Sequence, residues 1–196
     1  MKARNKKVYG IGINDYDGAI KVDGKEIKGY ACWRDILRRC YDEKFILLNP
    51  SYKDCSVALE WLFFSNFKRW YDEHHRVNCQ IDKDILIKGN RIYSSSTCCF
   101  VPHAVNSLFT KCNRKRGKYP IGVSFSKERK KYEAQLSIDG KKHSVKRFKT
   151  SLEAFECYKQ AKETQIQSIA TQYYNCGEIS TSVYNALKNY KVEISD

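Results

Sequence analysis

A chain of 196 residues, 42% hydrophobic and 13% aromatic, carries enough apolar material for a packed core. That excludes a disordered chain and allows one domain or two small ones. Its 36 Lys and Arg against 22 Asp and Glu leave a net charge of +14, which points to a nucleic acid as partner; a solvated basic surface is the bland alternative. The start, Met1 to Lys7, is basic without an apolar stretch, so it does not read as a secretory signal. No apolar run reaches the roughly eighteen residues of a membrane span. Nine cysteines, with no Cys-x-x-Cys among them, read as reduced thiols in a cytosol.

Residues 1 to 29 form an irregular lead-in. Asp15-Tyr16-Asp17-Gly18 and Val22-Asp23-Gly24-Lys25 are turn chemistry, with a small hairpin expected at Ile20 to Ile27. The acids Asp15, Asp17 and Asp23 lack the spacing and distal Glu of a calcium loop. Tyr30 to Tyr41 has helical spacing, with Tyr30, Trp33, Leu37 and Cys40 on one face and Arg34, Arg38 and Arg39 over the rest. That suits an ordinary amphipathic helix and equally an Arg-bearing helix beside a DNA backbone. Asn49-Pro50-Ser51 breaks the chain, and Cys55 to Val57 reads as a short strand. Glu60 to Glu73 places Trp61, Phe64, Phe67, Trp70 and Tyr71 three and four apart. This is the face of a buried helix rather than a base-stacking platform. His74-His75 falls at that helix's end, where charged His suits the macrodipole better than a metal. Cys40, Cys55, Cys79 and Cys98 are separated by 15, 24 and 19 residues, which match no zinc knuckle.

Gln80 to Asn106 carries the candidate chemistry. Two β-like runs, Ile81 to Ile87 and Arg91 to Tyr93, flank Gly89-Asn90, which predicts a hairpin. Ser94 to Thr97 reads as a loop, and Pro102 suits the first position of a helix. The order strand, turn, strand, helix, with acids on the first strand and an amide on the helix, resembles the ββα-metal finger of HNH endonucleases. The strings Asp-Lys-Asp-Ile-Leu (82–86) and Tyr-Ser-x-x-Thr-Cys-x-Phe-Val-Pro (93–102) are similar to a phage-borne branch of that family. So are Arg-Cys-Tyr (39–41), Asn-Pro-x-Tyr (49–52) and Glu-Trp-Leu-x-Phe-x-Asn-Phe-x-x-Trp (60–70), so the resemblance covers roughly residues 8 to 110. It implies one divalent metal, magnesium or manganese rather than zinc, held by Asp82 and Asn106. The position of the family's catalytic base is taken by Lys83. A lysine accepts a proton near neutrality only if its pKa falls by several units, and neighbouring carboxylates act the other way. His103, one turn before Asn106, is the substitute candidate for base or ligand; it reads equally as a surface His near a helix start.

Asn113 to Lys118 reads as a basic linker. Beyond it, Tyr132, Ala134, Leu136 and Ile138 alternate with Glu133, Gln135 and Ser137, and Asp139-Gly140 is a tight-turn signal before Lys141 to Lys149. Thr150-x-x-Glu153 is a capping box for a helix whose apolar stripe is Leu152, Phe155, Tyr158, Ala161, Ile166, Ile169 and Tyr173. A short helix is expected again at Ser182 to Tyr190. Gly-Val-Ser-Phe (122–125), Tyr-x-Ala-Gln (132–135), Asp-Gly-Lys (139–141), Phe-x-Thr (148–150) and Glu-Ala-Phe-x-x-Tyr (153–158) resemble the Apetala/ethylene-response DNA-binding domain over about 120 to 162. That resemblance implies a sheet whose outer face lies in the DNA major groove. By position Lys130, Lys131, Glu133, Gln135, Lys142, Ser144, Lys146 and Arg147 are the contacts. The family's Leu-Gly is replaced by Lys146-Arg147, which leaves open which of the two faces outward.

Charge supports the same partner. Residues 113 to 150 hold thirteen Lys or Arg against Glu128, Glu133 and Asp139, which adds Arg114, Lys115, Arg116, Arg129 and Lys141 to the DNA-binding candidates. The expected architecture is α+β. A ββα-metal, HNH-like domain with flanking helices spans 1–112, a basic linker 113–119, and a three-stranded antiparallel sheet on one helix, with a helical tail, 120–196. The expected function is double-stranded DNA binding with HNH-type phosphodiester cleavage, in the cytoplasm of a bacterial host, with no membrane; a protein partner is allowed but not indicated. The alternative is a non-catalytic DNA-binding regulator, or an antagonist of host defence, on a degenerate HNH scaffold.

Overall fold

The computed structural model describes residues 7–109, 118–138, 141–194 and 196. The fold is mixed α+β and divides into two compact units, Met1–Val101 and Pro102–Asp196. Arg114, Lys115, Arg116 and the Asp139-Gly140 turn lie outside the described residues.

In the first unit, strands β1 (Lys21–Val22) and β2 (Lys25–Glu26) form the small hairpin, with Asp23 and Gly24 both at positive φ. Helix α1 (Lys28–Tyr41) buries Tyr30, Trp33, Ile36, Leu37 and Cys40. Asp42 ends it and caps helix α2 (Glu43–Leu48) by accepting from the Phe45 N–H at 3.2 Å. The aromatic run from 60 breaks in two: a 3-10 turn at Leu59–Leu62, then helix α3 (Phe64–His74). Trp61, Phe64, Phe67, Trp70 and Tyr71 are all buried, so this face is core. Trp33 and Phe64 pack at 5.2 Å and Trp61 and Phe67 at 4.9 Å between ring centroids. The Trp33 Nε1–H donates to the Trp61 carbonyl at 2.7 Å, which satisfies the one polar atom the indole brings inside. Each such ring contributes about 1.5–3 kcal/mol by leaving water.

The hairpin expected across Gly89-Asn90 does not form. Strand β3 (Ser56–Val57) pairs in parallel with β5 (Ile92–Tyr93), while β4 (Cys79–Asp82) pairs with β6 (Cys99–Pro102). Gly89 does turn the chain, at φ +77°, but the two runs beside it separate into different sheets. The cause is local. Asp82 Oδ1 accepts from the N–H groups of Asp84 (2.6 Å) and Ile85 (2.8 Å), which bends the chain out of strand after residue 82.

In the second unit, helix α4 (His103–Ser107) follows directly on β6, with Pro102 one position earlier than expected, as the N-cap. Strands β7 (Val123–Ser126), β8 (Lys131–Ile138) and β9 (Lys141–Phe148) form an antiparallel sheet in that order. Helix α5 (Ser151–Asn175) opens on a complete capping box: Thr150 Oγ1 accepts from Glu153 N–H at 3.3 Å, and Glu153 Oε2 from Thr150 N–H at 3.1 Å. Val123, Ala134, Leu136, Ala154, Phe155 and Tyr158 make the core. Leu152, expected in the helix stripe, is instead 58% exposed in the first turn. Helix α6 (Thr181–Lys188) buries Val183 and Leu187. Glu163 then holds the tail, accepting from Val192 N–H at 3.0 Å and from Lys191 Nζ at 3.1 Å. Among the described residues no helix is long and apolar enough to cross a membrane.

Candidate functional site

Asp82 ends β4. Oδ1 is held by two backbone N–H groups, and among the described residues Oδ2 is the oxygen left for a cation. Burial pushes its carboxyl above the usual carboxylate range; the two N–H bonds and Lys83 oppose that rise, and Asp84 adds to it. Such a carboxyl is costly to keep charged and gains from a nearby cation.

Lys83 is 7% exposed, unusual for a lysine. Its Nζ donates to both carboxylate oxygens of Asp84 (2.9 and 2.8 Å) and to the Asn90 carbonyl (2.8 Å). Three donors meet three acceptors, so the ammonium is fully satisfied. Asn90 answers with its side-chain amide, donating to the carbonyls of Lys83 (2.9 Å) and Ile92 (2.7 Å). Lys83 is therefore a strut between the 82–85 turn and the 89–92 turn. All three Nζ contacts are spent on holding the two turns together, so the geometry gives Lys83 a structural part. The sequence placed Asp84 beside it and did not reveal Asn90 as its second partner. The only hint was an acid adjacent to Lys83 and an Asn in the following turn.

On α4, His103 is exposed and Asn106 half-buried one turn later, with Val105 buried to anchor the helix. Asp82 belongs to the first unit, and His103 and Asn106 to the second. Among the described residues no three His, Cys, Asp or Glu side chains converge as a metal-holding group. Cys40, Cys55 and Cys98 are buried, and burial pushes the Cys40 and Cys98 thiols up to about 12, as inert packing thiols. His74 and His75 stack on Trp70 (4.8 Å) and Tyr71 (4.5 Å). The α1 arginines are engaged within the unit: Arg34 with Glu26 at 3.0 Å, Arg38 and Arg39 with Asp35.

The sheet of the second unit resolves the basic residues into two sets. Ala134 and Leu136 of β8 are buried toward α5, so Lys131, Glu133, Gln135 and Ser137 face away. Residues opposite one another on paired strands share a face. The register pairs Glu133 with Arg147, Gln135 with Ser144 and Ser137 with Lys142. It pairs Ala134 with Lys146 and Ile138 with Lys141, which puts those two lysines on the helix side. A bulge at Ala134/Gln135, where β9 carries Val145 as an extra residue, makes this switch. Arg147 therefore faces outward and Lys146 does not; Lys146 Nζ lies 5.7 Å from the Phe148 ring. Lys130 occupies the β7–β8 turn at φ +50°.

Glu133 is the acid on this outward face. Its side chain is 12% exposed, beneath Arg147 (44%) and Arg129 (50%). The Arg147 Nε–H donates to Glu133 Oε1 at 2.7 Å, and Arg129 Nη1 lies 3.7 Å from the same oxygen. The Arg147 hydrogen bond, helped by both arginine charges, holds the Glu133 carboxyl below its usual range despite some burial. Sequence reasoning named these three residues singly and missed their grouping. A cleft of about 740 Å³ lies in the same unit, lined by Tyr158, Lys162, Ile166 and Tyr190. Burial there pushes the Lys162 ammonium down to about 8, and its Nζ donates to Gln165 Oε1 at 3.1 Å.

No family model, curated protein or solved structure matches this chain.

Proposed function

We propose that this chain binds double-stranded DNA through the outward face of the β7–β8–β9 sheet. The observation that carries the reading is the register. It gathers Lys131, Lys142 and Arg147, with Arg129 beside them, on one face, and intersperses them with Ser124, Gln135, Ser137 and Ser144. Long cations neutralise phosphates, while short polar side chains between them let the strands approach base edges. A sheet face of this width suits a major groove.

Fluorescence anisotropy on a duplex oligonucleotide tests the reading. About five phosphate contacts give a log–log salt slope of about −4 to −5. Changing Lys131 and Lys142 together to Ala weakens binding and lowers the slope by about two. A slope near zero removes the sheet-docking reading.

Metal-dependent cleavage is the second reading, and Asp82 favours it: a half-buried carboxylate at a strand end, with one oxygen committed to the backbone and, among the described residues, the other not. Asp82 would hold magnesium or manganese, which stabilises the leaving oxygen of a phosphodiester. His103, exposed on α4, is then the chain's candidate for activating water. Lys83 favours the competing reading, a DNA-binding regulator or anti-defence protein without cleavage, because a structural strut stands where the related family has its base.

A further inference from the structure

Arg147 and Arg129 converge on one sheltered carboxylate, and the geometry leaves their outer ends open. Arg147 spends only its Nε–H on Glu133 (2.7 Å); among the described residues its two Nη groups have no other hydrogen-bond partner. That ties the guanidinium at one corner and leaves the Nη donors of a half-exposed side chain for a partner. Such a fork matches the O6 and N7 acceptors of guanine in the major groove. Phosphate is the competing ligand, and Glu133 argues against it. A carboxylate directly under the fork repels a phosphate and cancels one of the two positive charges. A neutral base edge tolerates both. Lys131 and Lys142, on the same face, have no carboxylate partner among the described residues and suit phosphates better.

We propose that Glu133 is a positioning residue that aims Arg147, with Arg129 beside it, at a guanine of duplex DNA, and so sets sequence preference. This rests on the sheet-docking reading above.

The full chain is tested by binding a randomised duplex library and sequencing the bound fraction, followed by anisotropy on the selected duplex and a scrambled one. Wild type enriches guanine at one or two positions. Glu133→Gln lowers that enrichment several-fold, because a neutral amide oxygen holds the guanidinium less firmly than a carboxylate does. Its affinity for the scrambled duplex rises, because a negative charge has left the face. Arg147→Lys keeps the charge and loses the fork, so it weakens the selected duplex several-fold more than the scrambled one. Melting temperatures of both variants within a few degrees of wild type establish that the sheet is intact. Undiminished guanine enrichment in Glu133→Gln, or equal losses on both duplexes for Arg147→Lys, overturns the proposal while DNA binding stands. No salt-sensitive binding by wild type removes the docking reading and the proposal with it.

Discussion

Asp82 and Lys83 are adjacent and half-buried or buried, yet they serve opposite ends. Lys83 has all its donors matched and joins two turns, so its burial stabilises the loop. Asp82 is pushed above the usual carboxylate range by burial, so its charged form costs stability. The sign follows from linkage. A carboxyl whose folded pKa is raised binds its proton more tightly in the native state, and the stability this provides is present at low pH and lost as pH rises through the folded pKa. Asp82→Asn keeps the Oδ1 acceptor for the Asp84 and Ile85 N–H groups and removes the charge. The variant is therefore expected to melt higher than wild type at pH 7, and the difference to vanish near pH 3. Thermal melts across that range check it. A variant less stable at pH 7 would show that the charge itself is stabilising here.

At the level of elements, the second sheet and its helix meet at Gly122. Its φ is +73°, and a Cβ there would stand 2.1 Å from the Tyr158 ring, so β7 can pass over α5 only as glycine. Gly122→Ala is expected to cost about 2–4 kcal/mol, from left-handed strain plus overpacking. Gly177, at φ +69° with nothing within 4 Å of its Cβ position, isolates the strain alone. Gly177→Ala costs about 1 kcal/mol. Denaturant melts of the two variants read the difference directly. What the sequence made legible divides along the same line. The α1 face, the aromatic core of α3, the β8 alternation and the capping box at Thr150 are short-range patterns, and each is present. The pairing of β5 was not legible. Gly89-Asn90 gives a correct turn, but the partner of Ile92–Tyr93 is Ser56–Val57, far back in the chain, and β4 takes Cys99–Pro102. Turn chemistry fixes where a chain reverses; it does not fix which strand lies alongside. The outward placement of Arg147 was hidden likewise, because it depends on a bulge at Val145 that shifts side-chain parity by one.

Across the whole molecule, charge and candidate chemistry are unevenly shared. Residues 113 to 150 carry thirteen of the 36 basic residues and three of the 22 acids, while Asp82 lies in the first unit. If the sheet supplies affinity and Asp82 supplies the metal site, the two properties separate by mutation. Supercoiled plasmid with magnesium or manganese reads both. Asp82→Ala is expected to abolish nicking while gel-shift affinity stays within about two-fold, since a single half-buried carboxylate takes no part in counterion release. Changing Lys142 and Arg147 together to Ala is expected to weaken binding and to slow nicking at low DNA concentration, with the rate recovering as DNA saturates the protein, because those side chains hold substrate without touching the reacting phosphate. Nicking that survives Asp82→Ala would place the chemistry elsewhere in the chain. Wild type that shifts DNA and nicks it with neither metal would identify the chain as a binding protein, in which Lys83 holds its loop.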